Sequence, residues 1–524
     1  MHQSNQQRLS QIINAGLQPK LRDSKIGLEK ESLRVSDEGK IAQTRHPEVL
    51  GAALTNPFIT TDYSEALLEL ITPPCDSAED SLRFLERTQA FVQQHLPDEI
   101  LWANSMPCIV TGEASIPIAE YGSSNLGMMK TVYRRGLAYR YGRMMQVIAG
   151  IHFNFSLPEV FWPAYQETLQ DNTPLQAFIA QHYFAMIRNL QRYGWLIPFL
   201  FGASPTVCRS FIDGVPAGLE EFDDYSYYQP YATSLRLGDI GYQNSKEDLS
   251  GIKANYNSLE DYVASLTCAI ETPYPDYEKF GVKVDGEYRQ LNPNLLQIEN
   301  EYYSTIRPKQ LVDREEKPSL ALKRRGVKYV ELRSLDLNVF EPLGVTLPQM
   351  HFLEGFLLFC LLQDSPPISE VERKAIDNNL NITAHRGREP GLQLQRNGDS
   401  ITLQDWGKEL LDVMEGSFAL LDDANECRHY SHSLQQQRET MQDSSRTPSA
   451  RIIAEMRNNK EAFFPFSMRY SQQHAAHFRA LPLSAEHVSF FQDAARQSVL
   501  DQQQIEARDT LSFDEFLAHY YAQR

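Results

Sequence analysis

An alternation of polar and apolar residues constrains the fold of this chain more than any other feature. In the segment 150–157, polar residues alternate with Ile, Phe and Leu, and the polar ones are His152, Asn154 and Ser156. Successive side chains of a β-strand point to opposite faces, so this period predicts a strand with one polar and one apolar face. The chain therefore needs a sheet whose apolar face is covered by other elements.

Acidic residues occupy the same kind of face in five further stretches. They are Glu29 and Glu31 in 27–33, Asp62 and Glu69 in 59–62 and 66–72, Glu299 and Glu301 in 297–303, and Glu331, beside Arg333, in 329–335. For any one strand, charges that face water are the simpler interpretation. For the set, like charges on one face raise the energy unless a cation neutralises them. Glu69 also lies in an apolar run, where an unpaired charge is costly.

These acids and His152 are the donors that a hard divalent cation prefers. Mg²⁺ binds oxygen ligands and commonly combines a few carboxylates with substrate phosphates. Imidazole suits Mn²⁺ somewhat better, so Mn²⁺ is the alternative. The pattern predicts a metal cluster on one face of a sheet, and separate solvated strand faces stay open as the other interpretation.

A second group of candidate site residues is basic and aromatic. A helix is predicted to begin at Tyr133 and Arg134 and to continue through Leu137 and Gln146, and Arg236 lies before a glycine turn. The planar guanidinium group matches carboxylate and phosphate geometry. Surface ion pairs are the alternative for each arginine, and the spacing does not decide between the two.

The pattern of polar and apolar residues changes near residue 338. Before it, short alternating segments are broken by Gly, Pro and Asn. After it, the pattern is mostly helical, with a buried helix predicted at 352–362 and an amphipathic helix at 403–421. Strands segregated from helices favour an α+β fold over regular βαβ alternation. We predict a core with a sheet over residues 1–345 and a mainly helical region, packed on it, over residues 346–524.

Composition and missing motifs exclude several function classes. The 50 Lys and Arg against 68 Asp and Glu give a net charge of −18, which offers no basic footprint for nucleic acid. Six dispersed cysteines without a CxxC pair predict reduced thiols in a cytoplasmic protein. No apolar run reaches the roughly 18 residues that a membrane span needs. Because the sequence has no GxxxxGK[ST] or GxGxxG motif, a bound nucleotide would be held by metals and arginines.

Six segments together resemble the bacterial glutamate–cysteine ligases of the gammaproteobacterial type, also called γ-glutamylcysteine synthetases. The segments are 27–34 (GLEKESLR), 59–69 (ITTDYSEALLE), 150–157 (GIHFNFSL), 230–242 (PYATSLRLGDIGY), 297–309 (QIENEYYSTIRPK) and 329–336 (YVELRSLD). They follow the order of the family, and the region after about residue 455 matches poorly.

The resemblance implies both a fold and a reaction. The fold would be similar to glutamine synthetase, with a curved antiparallel sheet forming a funnel and helices around it, and the core over residues 1–345 would be catalytic. The reaction would join the γ-carboxylate of L-glutamate to L-cysteine with ATP, through a γ-glutamyl phosphate, as the first step of glutathione biosynthesis. A cytoplasmic monomer that needs Mg²⁺ is expected, with small-molecule substrates and no nucleic-acid or membrane partner.

The resemblance also implies roles for named residues. The metal ligands would be Glu29, Glu31, Asp62, Glu69, His152 and Glu331. Arg333 would contact the nucleotide phosphates and, with Glu29 and Glu331, would be catalytic. The residues that line the amino-acid sites would be Tyr133, Arg134, Leu137, Gln146, Arg236, Tyr242 and Tyr303.

Other function classes use some of the same residues. A multi-metal hydrolase would also cluster carboxylates and histidine, but it would act without ATP and without Arg333 and Arg236. A catalytically silent metal- or nucleotide-binding protein is disfavoured because the acidic positions are all intact. A fused bifunctional glutathione synthase would need a further ATP-binding domain.

Overall fold

The strands in the described part of the chain form a large antiparallel sheet and three small ones. The computed structural model describes residues 2–212, 218–241, 253–313 and 315–524. Its strands are β1 (Lys25–Ser36), β2 (Ile59–Thr61), β3 (Leu67–Ile71), β4 (Glu99–Leu101), β5 (Ile151–Ser156), β6 (Thr206–Cys208), β7 (Glu220–Asp223), β8 (Ser226–Tyr228), β9 (Lys283–Val284), β10 (Glu287–Tyr288), β11 (Ile306–Lys309), β12 (Tyr329–Leu335), β13 (Gln393–Arg396) and β14 (Asp399–Thr402).

Helices surround the large sheet and make up most of the chain after it. They are α1 (His2–Asn14), α2 (Ala78–Gln94), α3 (Asn125–Tyr141), α4 (Phe161–Thr168), α5 (Leu175–Tyr193), α6 (Leu196–Phe201), α7 (Leu259–Glu271), α8 (Pro275–Glu278), α9 (Pro318–Arg325), α10 (Leu347–Leu362), α11 (Glu370–Arg386), α12 (Leu403–Asn425), α13 (His429–Gln442), α14 (Pro448–Asn459), α15 (Phe463–Ala480), α16 (Ala485–Arg508) and α17 (Phe513–Ala522). Ser77, Ser124 and Thr346 cap α2, α3 and α10, because each side chain accepts a hydrogen bond from the first turn.

The large sheet aligns the polar residues of neighbouring strands. Its strands follow the order β11-β12-β5-β1-β3-β2, and β4 pairs with the end of β1. The register sets polar residues opposite one another: Glu29 with His152, Glu331 with Asn154, and Glu31 with Glu69. Residues directly opposite in antiparallel strands share a face, so the predicted polar residues of four strands lie on one side of the sheet.

The other side of the sheet is apolar and covered by helices. Leu28, Phe153 and Leu332 point to this side and are fully buried. Helix α2 packs on β1 and β3, and α5 packs on β11 and β12. The predicted strands at 27–33, 59–62, 66–72, 150–157 and 329–335 are thereby confirmed.

Helix α10 is enclosed by other helices. Its residues from Gln349 to Leu362 are all buried, and it packs against α2, α5, α12 and α13. A helix that is apolar all round is expected in such a position. The helices predicted at 352–362 and 403–421 are therefore confirmed as segments of α10 and α12.

The alternation over 297–303 predicts a strand, and this prediction is wrong. Glu299–Glu301 forms a 3₁₀ turn, and β11 begins only at Ile306. The backbone N–H of Gln297 donates to the Glu301 carboxylate at 2.7 Å. A side chain that satisfies a nearby backbone group competes with strand pairing, which explains the difference.

Helix α3 also differs from its prediction at both ends. It begins at Asn125, after the Ser124 cap, well before Tyr133. It ends at Tyr141 because Gly142 takes a φ of 80°, which favours glycine. Gln146 therefore lies in a separate 3₁₀ turn, Met144–Val147.

The α+β class and the antiparallel sheet are confirmed, while the division of the chain at residue 345 stays a prediction. Among the described residues, no helix has both the length and the apolar character needed to cross a membrane.

Candidate active site

Three side chains from neighbouring strands meet on the polar side of the sheet. His152 Nδ1 lies 2.9 Å from Glu29 Oε2 and 3.4 Å from Glu331 Oε1. Donor atoms of the three residues all lie within 4.8 Å of one another. His152 and Glu331 are buried, and Glu29 is half-buried. Two carboxylates and an imidazole at this spacing could hold a divalent cation.

The other predicted metal ligands lie around these three. Glu31 Oε1 is 3.6 Å from His152 Nε2, and Glu31 Oε2 accepts a hydrogen bond from the Gly150 N–H at 2.7 Å. Glu69 lies opposite Glu31 in the β1–β3 pair and is half-buried. Asp62 follows β2 and lines the same cavity as Glu31 and His152. We call these six residues the acidic cluster: Glu29, Glu31, Asp62, Glu69, His152 and Glu331.

Negative charge is in excess on the β1–β3 side of the acidic cluster. Burial raises the pKa of Glu69 well above its usual value, and the charges of Glu29 and Asp62 raise it further. Burial also raises the pKa of Glu31 and outweighs the charge of His152 there. Carboxylates that bind protons because other carboxylates are close can instead share a metal cation, which displaces those protons.

Two cations balance the charge on the β11–β12 side, and we call Lys309 and Arg333 the cationic pair. Arg333 Nη1 donates to Glu331 Oε1 at 3.0 Å, and Lys309 Nζ lies 3.2 Å from Glu331 Oε2. Burial raises the pKa of Glu331, but the cationic pair and His152 outweigh it and hold this pKa well below its usual range. Burial and Arg333 lower the pKa of His152, but hydrogen bonds with Glu29 and Glu331 raise it to about 9.

A cavity of about 110 Å³ adjoins the acidic cluster and is lined by basic and aromatic side chains. Six of the seven residues predicted to contact amino-acid substrates line it: Tyr133, Arg134, Leu137, Gln146, Arg236 and Tyr303. The seventh, Tyr242, lies outside the described residues. Arg333 lines the same cavity, so it links the acidic cluster to this space.

Arg236 lines the cavity, and two of its guanidinium nitrogens make no hydrogen bond to the described residues. Its Nη2 donates to the carbonyl of Arg333 at 2.9 Å. Nε and Nη1 are buried without a hydrogen-bond partner among the described residues, and the Asp336 carboxylate is 3.6 Å from Nη1. A buried guanidinium group with unused donors is suited to bind the carboxylate of a ligand.

Helix α3 supplies one wall of the cavity. Tyr133 and Leu137 lie four residues apart, so they share one helix face. Arg134 Nε donates to the Asp62 carbonyl at 2.5 Å, and its guanidinium carbon lies 4.6 Å from the centroid of the Tyr121 ring. The wall is thereby fixed to the loop that carries one predicted metal ligand.

Glu299 and Glu301 do not belong to the acidic cluster. Glu301 Oε1 accepts hydrogen bonds from Arg140 Nη1 and from the Tyr141 hydroxyl, each at 2.9 Å. Glu299 Oε1 accepts from the Ser319 hydroxyl at 2.5 Å. These carboxylates therefore hold α3 and α9 in place, and Glu301 also lines the cavity.

Some site residues received no role from the sequence. Lys309 pairs with Glu331, and Asn154 Nδ2 donates to Glu29 Oε1 at 2.9 Å. Arg307 lies opposite Glu331 in the β11–β12 pair and lines the cavity. Strand alternation offered a signal, since Arg307 and Lys309 are two residues apart and share a face.

The arrangement is suited to phosphoryl transfer. Such reactions need reactants held in position and negative charge neutralised more than they need a protein nucleophile. The acidic cluster and the cationic pair supply the charges, and the cavity beside them can hold a small polar reactant.

Comparisons of sequence place the chain among known ligases. The sequence model of the glutamate–cysteine ligase family matches residues 9–383. The chain is 46% identical over 521 residues to the glutamate–cysteine ligase of Alcanivorax borkumensis, covering 98% of this chain and 99% of the relative. It is 48% identical over 515 residues to that of Pseudomonas putida, covering 98% and 97%.

Two solved structures are similar to this one. The glutamate–cysteine ligase from Francisella tularensis in complex with AMP has a TM-score of 0.90 and 38% identity, over 96% of this chain and 98% of that one. The bifunctional glutathione synthetase from Pasteurella multocida has a TM-score of 0.66 and 25% identity, over 89% of this chain and 53% of that one. These matches confirm the resemblance inferred from the six segments, and the chain belongs to the glutamate–cysteine ligase family.

Proposed function

We propose that the acidic cluster and the cavity together join the γ-carboxylate of L-glutamate to the amine of L-cysteine with ATP. The observation that carries the proposal is the convergence of Glu29, His152 and Glu331 beside a cavity lined by Arg134 and Arg236. The first group suits a metal-bound nucleotide, and the second suits an amino acid. Membership of the glutamate–cysteine ligase family supports the same reaction as the first step of glutathione biosynthesis.

The chemistry requires an activated carboxylate. A γ-carboxylate oxygen attacks the γ-phosphorus of ATP, the bond to ADP breaks, and γ-glutamyl phosphate forms. The amine of L-cysteine then attacks the acyl carbon and loses a proton, and phosphate leaves with the electrons of the C–O bond. The protein must hold these groups together and compensate the charge that develops.

We assign the cationic pair to the phosphates. Lys309 and Arg333 lie within 3.2 Å of Glu331 and bring positive charge to the edge of the acidic cluster. Hydrogen bonds from cations to phosphate oxygens are stronger than neutral ones, and Arg333 can make two in parallel. Charge of this kind stabilises the phosphoryl group most in the transition state.

The donor set of the acidic cluster fits Mg²⁺, with Mn²⁺ as the alternative. Burial raises the pKa of Glu69, and the charges of Glu29 and Asp62 raise it further. A divalent cation would relieve the repulsion among these carboxylates. Bound Mg²⁺ would neutralise the nucleotide phosphates and polarise the γ-phosphoryl group. The residues that would hold it are Glu29, Glu31, Asp62, Glu69, His152 and Glu331.

We assign the amino-acid substrates to the cavity. The unused N–H groups of Arg236 would bind a substrate carboxylate, and Tyr133, Leu137 and Tyr303 would surround the cysteine side chain. A partly apolar pocket separates cysteine from alanine or serine only modestly, by roughly 10- to 200-fold. The remaining predicted contacts are Arg134, Gln146 and Tyr242.

A substrate-omission assay tests this function. Phosphate release is measured with Mg–ATP and both amino acids, and then with each component left out, and the product is identified by mass. We expect release that needs all components and a product with the mass of γ-glutamylcysteine. Hydrolysis that proceeds without ATP, or no phosphate release under any condition, would contradict the proposal.

A further inference from the structure

The C-terminal helix α17 packs on the helix that bears the substrate residues. One face of α17 forms a buried apolar cluster with α3 and a nearby loop: Phe513, Phe516, Leu517 and Tyr520 of α17, Met129 and Val132 of α3, and Leu291. The spacing of the four α17 residues is that of a single helix face. Tyr133, which lines the cavity, packs at the edge of this cluster.

Tyr521, the next residue of α17, makes polar contacts with the segment 290–301. Its hydroxyl donates to the Gln297 carbonyl at 2.8 Å and accepts from Asn292 Nδ2, also at 2.8 Å. Asn292 Nδ2 donates to the same Gln297 carbonyl at 2.9 Å. The three groups bond to one another in a closed triangle, which fixes Gln297 relative to α17.

Gln297 connects this triangle to the wall of the cavity. It is fully buried, and its Nε2 donates to the Tyr133 carbonyl of α3 at 3.1 Å. Its backbone N–H donates to Glu301 Oε2 at 2.7 Å. Gly136 allows this close approach, because a Cβ there would lie 2.1 Å from Gln297 Oε1.

Glu301 closes the connection between the segment and α3. Its other oxygen, Oε1, accepts hydrogen bonds from Arg140 Nη1 and from the Tyr141 hydroxyl. Arg140 Nη2 in turn donates to the Asn292 carbonyl at 2.6 Å. Glu301, Tyr141 and Tyr133 all line the cavity. The Tyr521 hydroxyl is therefore joined through Gln297 to Tyr133 and Glu301, and through Glu301 to Tyr141.

We propose that Tyr521 is a positioning residue for the amino-acid substrates. It holds α3 and the segment 290–301 at the separation that the cavity needs, and this role rests on the proposed ligase function. Removing the hydroxyl leaves the Gln297 carbonyl with Asn292 as its side-chain donor and loosens Gln297 against Tyr133. The loss of one neutral hydrogen bond corresponds to about a fivefold change in binding.

The test compares Tyr521→Phe with Tyr520→Phe in the full chain. Each change removes one hydroxyl from α17 and keeps the ring, but only Tyr521 bonds to Gln297 in the described structure. We expect Tyr521→Phe to raise KM for at least one of the two amino acids by about fivefold. KM for ATP should stay at the wild-type value, and Tyr520→Phe should match the wild type throughout.

Three outcomes separate the possibilities. Unchanged KM values for both amino acids in Tyr521→Phe would overturn the positioning role. A fall in kcat and in melting temperature without a change in KM would also overturn it, because a merely structural contact acts in that way. A wild-type chain without ligase activity would instead contradict the proposed function, and the assay shows this before any variant is compared.

Discussion

At the scale of single residues, Glu331 is the point where the acidic cluster meets the cationic pair. Its carboxylate contacts His152, Arg333 and Lys309. Replacing it with glutamine removes a metal donor and leaves two cations without their partner. We expect Glu331→Gln to lower turnover roughly 100- to 1,000-fold, since a lost charge contact in the transition state has effects of this size. Phosphate release at saturating substrate measures it.

A matched control makes this prediction specific. Glu29→Gln should behave like Glu331→Gln, because both carboxylates contact His152. Glu38→Gln changes an exposed acid in the turn after β1 and should keep wild-type turnover. Circular dichroism should show all three variants folded. Near-wild-type turnover in both cluster variants would contradict the metal assignment.

The sequence was sufficient to identify residues that alternate along one strand. Glu29, Glu31 and His152 follow the period of two, and each strand carries that signal by itself. Alternation places Lys309 on a strand face but does not give its partner, and it does not give the partner of Glu301 either. The first acts through the pairing of β11 with β12, and the second acts through the packing of α3. Both depend on contacts between segments far apart in the chain.

At the scale of elements, the segment 297–303 shows the limit of periodicity. Its polar residues alternate as in a strand, yet their side chains form hydrogen bonds with different parts of the structure. Glu299 bonds to Ser319, while Glu301 bonds to the backbone of Gln297 and to Arg140. Alternation cannot distinguish a strand from a turn whose side chains bond to their own backbone. The ends of α3 were predictable in principle from the Ser124 cap and the Gly142 stop.

Helix α10 carries a buried acid that should make stability depend on pH. Glu354 is 3% exposed, and its Oε2 accepts from the Tyr430 hydroxyl at 3.1 Å. Burial raises the pKa of Glu354 to about 8, although the Tyr430 hydrogen bond lowers it and Glu79 raises it. A glutamate in an unfolded chain titrates near about 4.3. The folded chain thus keeps a proton that the unfolded chain loses, so the free energy of unfolding falls as pH rises between these values.

The change Glu354→Gln should remove this dependence. We expect the variant to melt above the wild type near pH 8 and to differ little from it near pH 5. The wild type should lose about 1.4 kcal/mol of stability per pH unit through this group. Thermal unfolding of both chains across this range measures the effect. If the two chains differed in melting temperature by the same amount near pH 5 and near pH 8, the assignment of the pH dependence to Glu354 would be contradicted.

At the scale of the whole molecule, ligand binding should stabilise the chain because the acidic cluster exists only in the folded state. Its six members span residues 29 to 331. A ligand at 100 times its Kd stabilises the folded state by about 2.7 kcal/mol. We expect Mg²⁺ with ATP to raise the melting temperature and EDTA to abolish both this rise and turnover. Glu331→Gln should lose most of the rise, and an equal rise with ATP alone would contradict a metal-dependent site.

The region after residue 346 packs against elements that carry the site, although the motifs assign it no role. Helix α15 packs on α2 and β4, and α17 packs on α3. The sequence predicts a helical region packed on the core, but its pattern does not show that α17 packs on α3. The predicted monomeric state and cytoplasmic location stay predictions.

The strand order has a consequence for the chain while it is being made. The ribosome releases β1, β3 and β5 well before β12 and β11, which complete the sheet on one side. A growing polypeptide therefore presents Glu29, Glu31, Glu69 and His152 while Lys309 and Arg333 are still to be synthesised. Nascent chains should not consume ATP before β11 and β12 are made, because the cationic pair that we assign to the phosphates lies on these two strands.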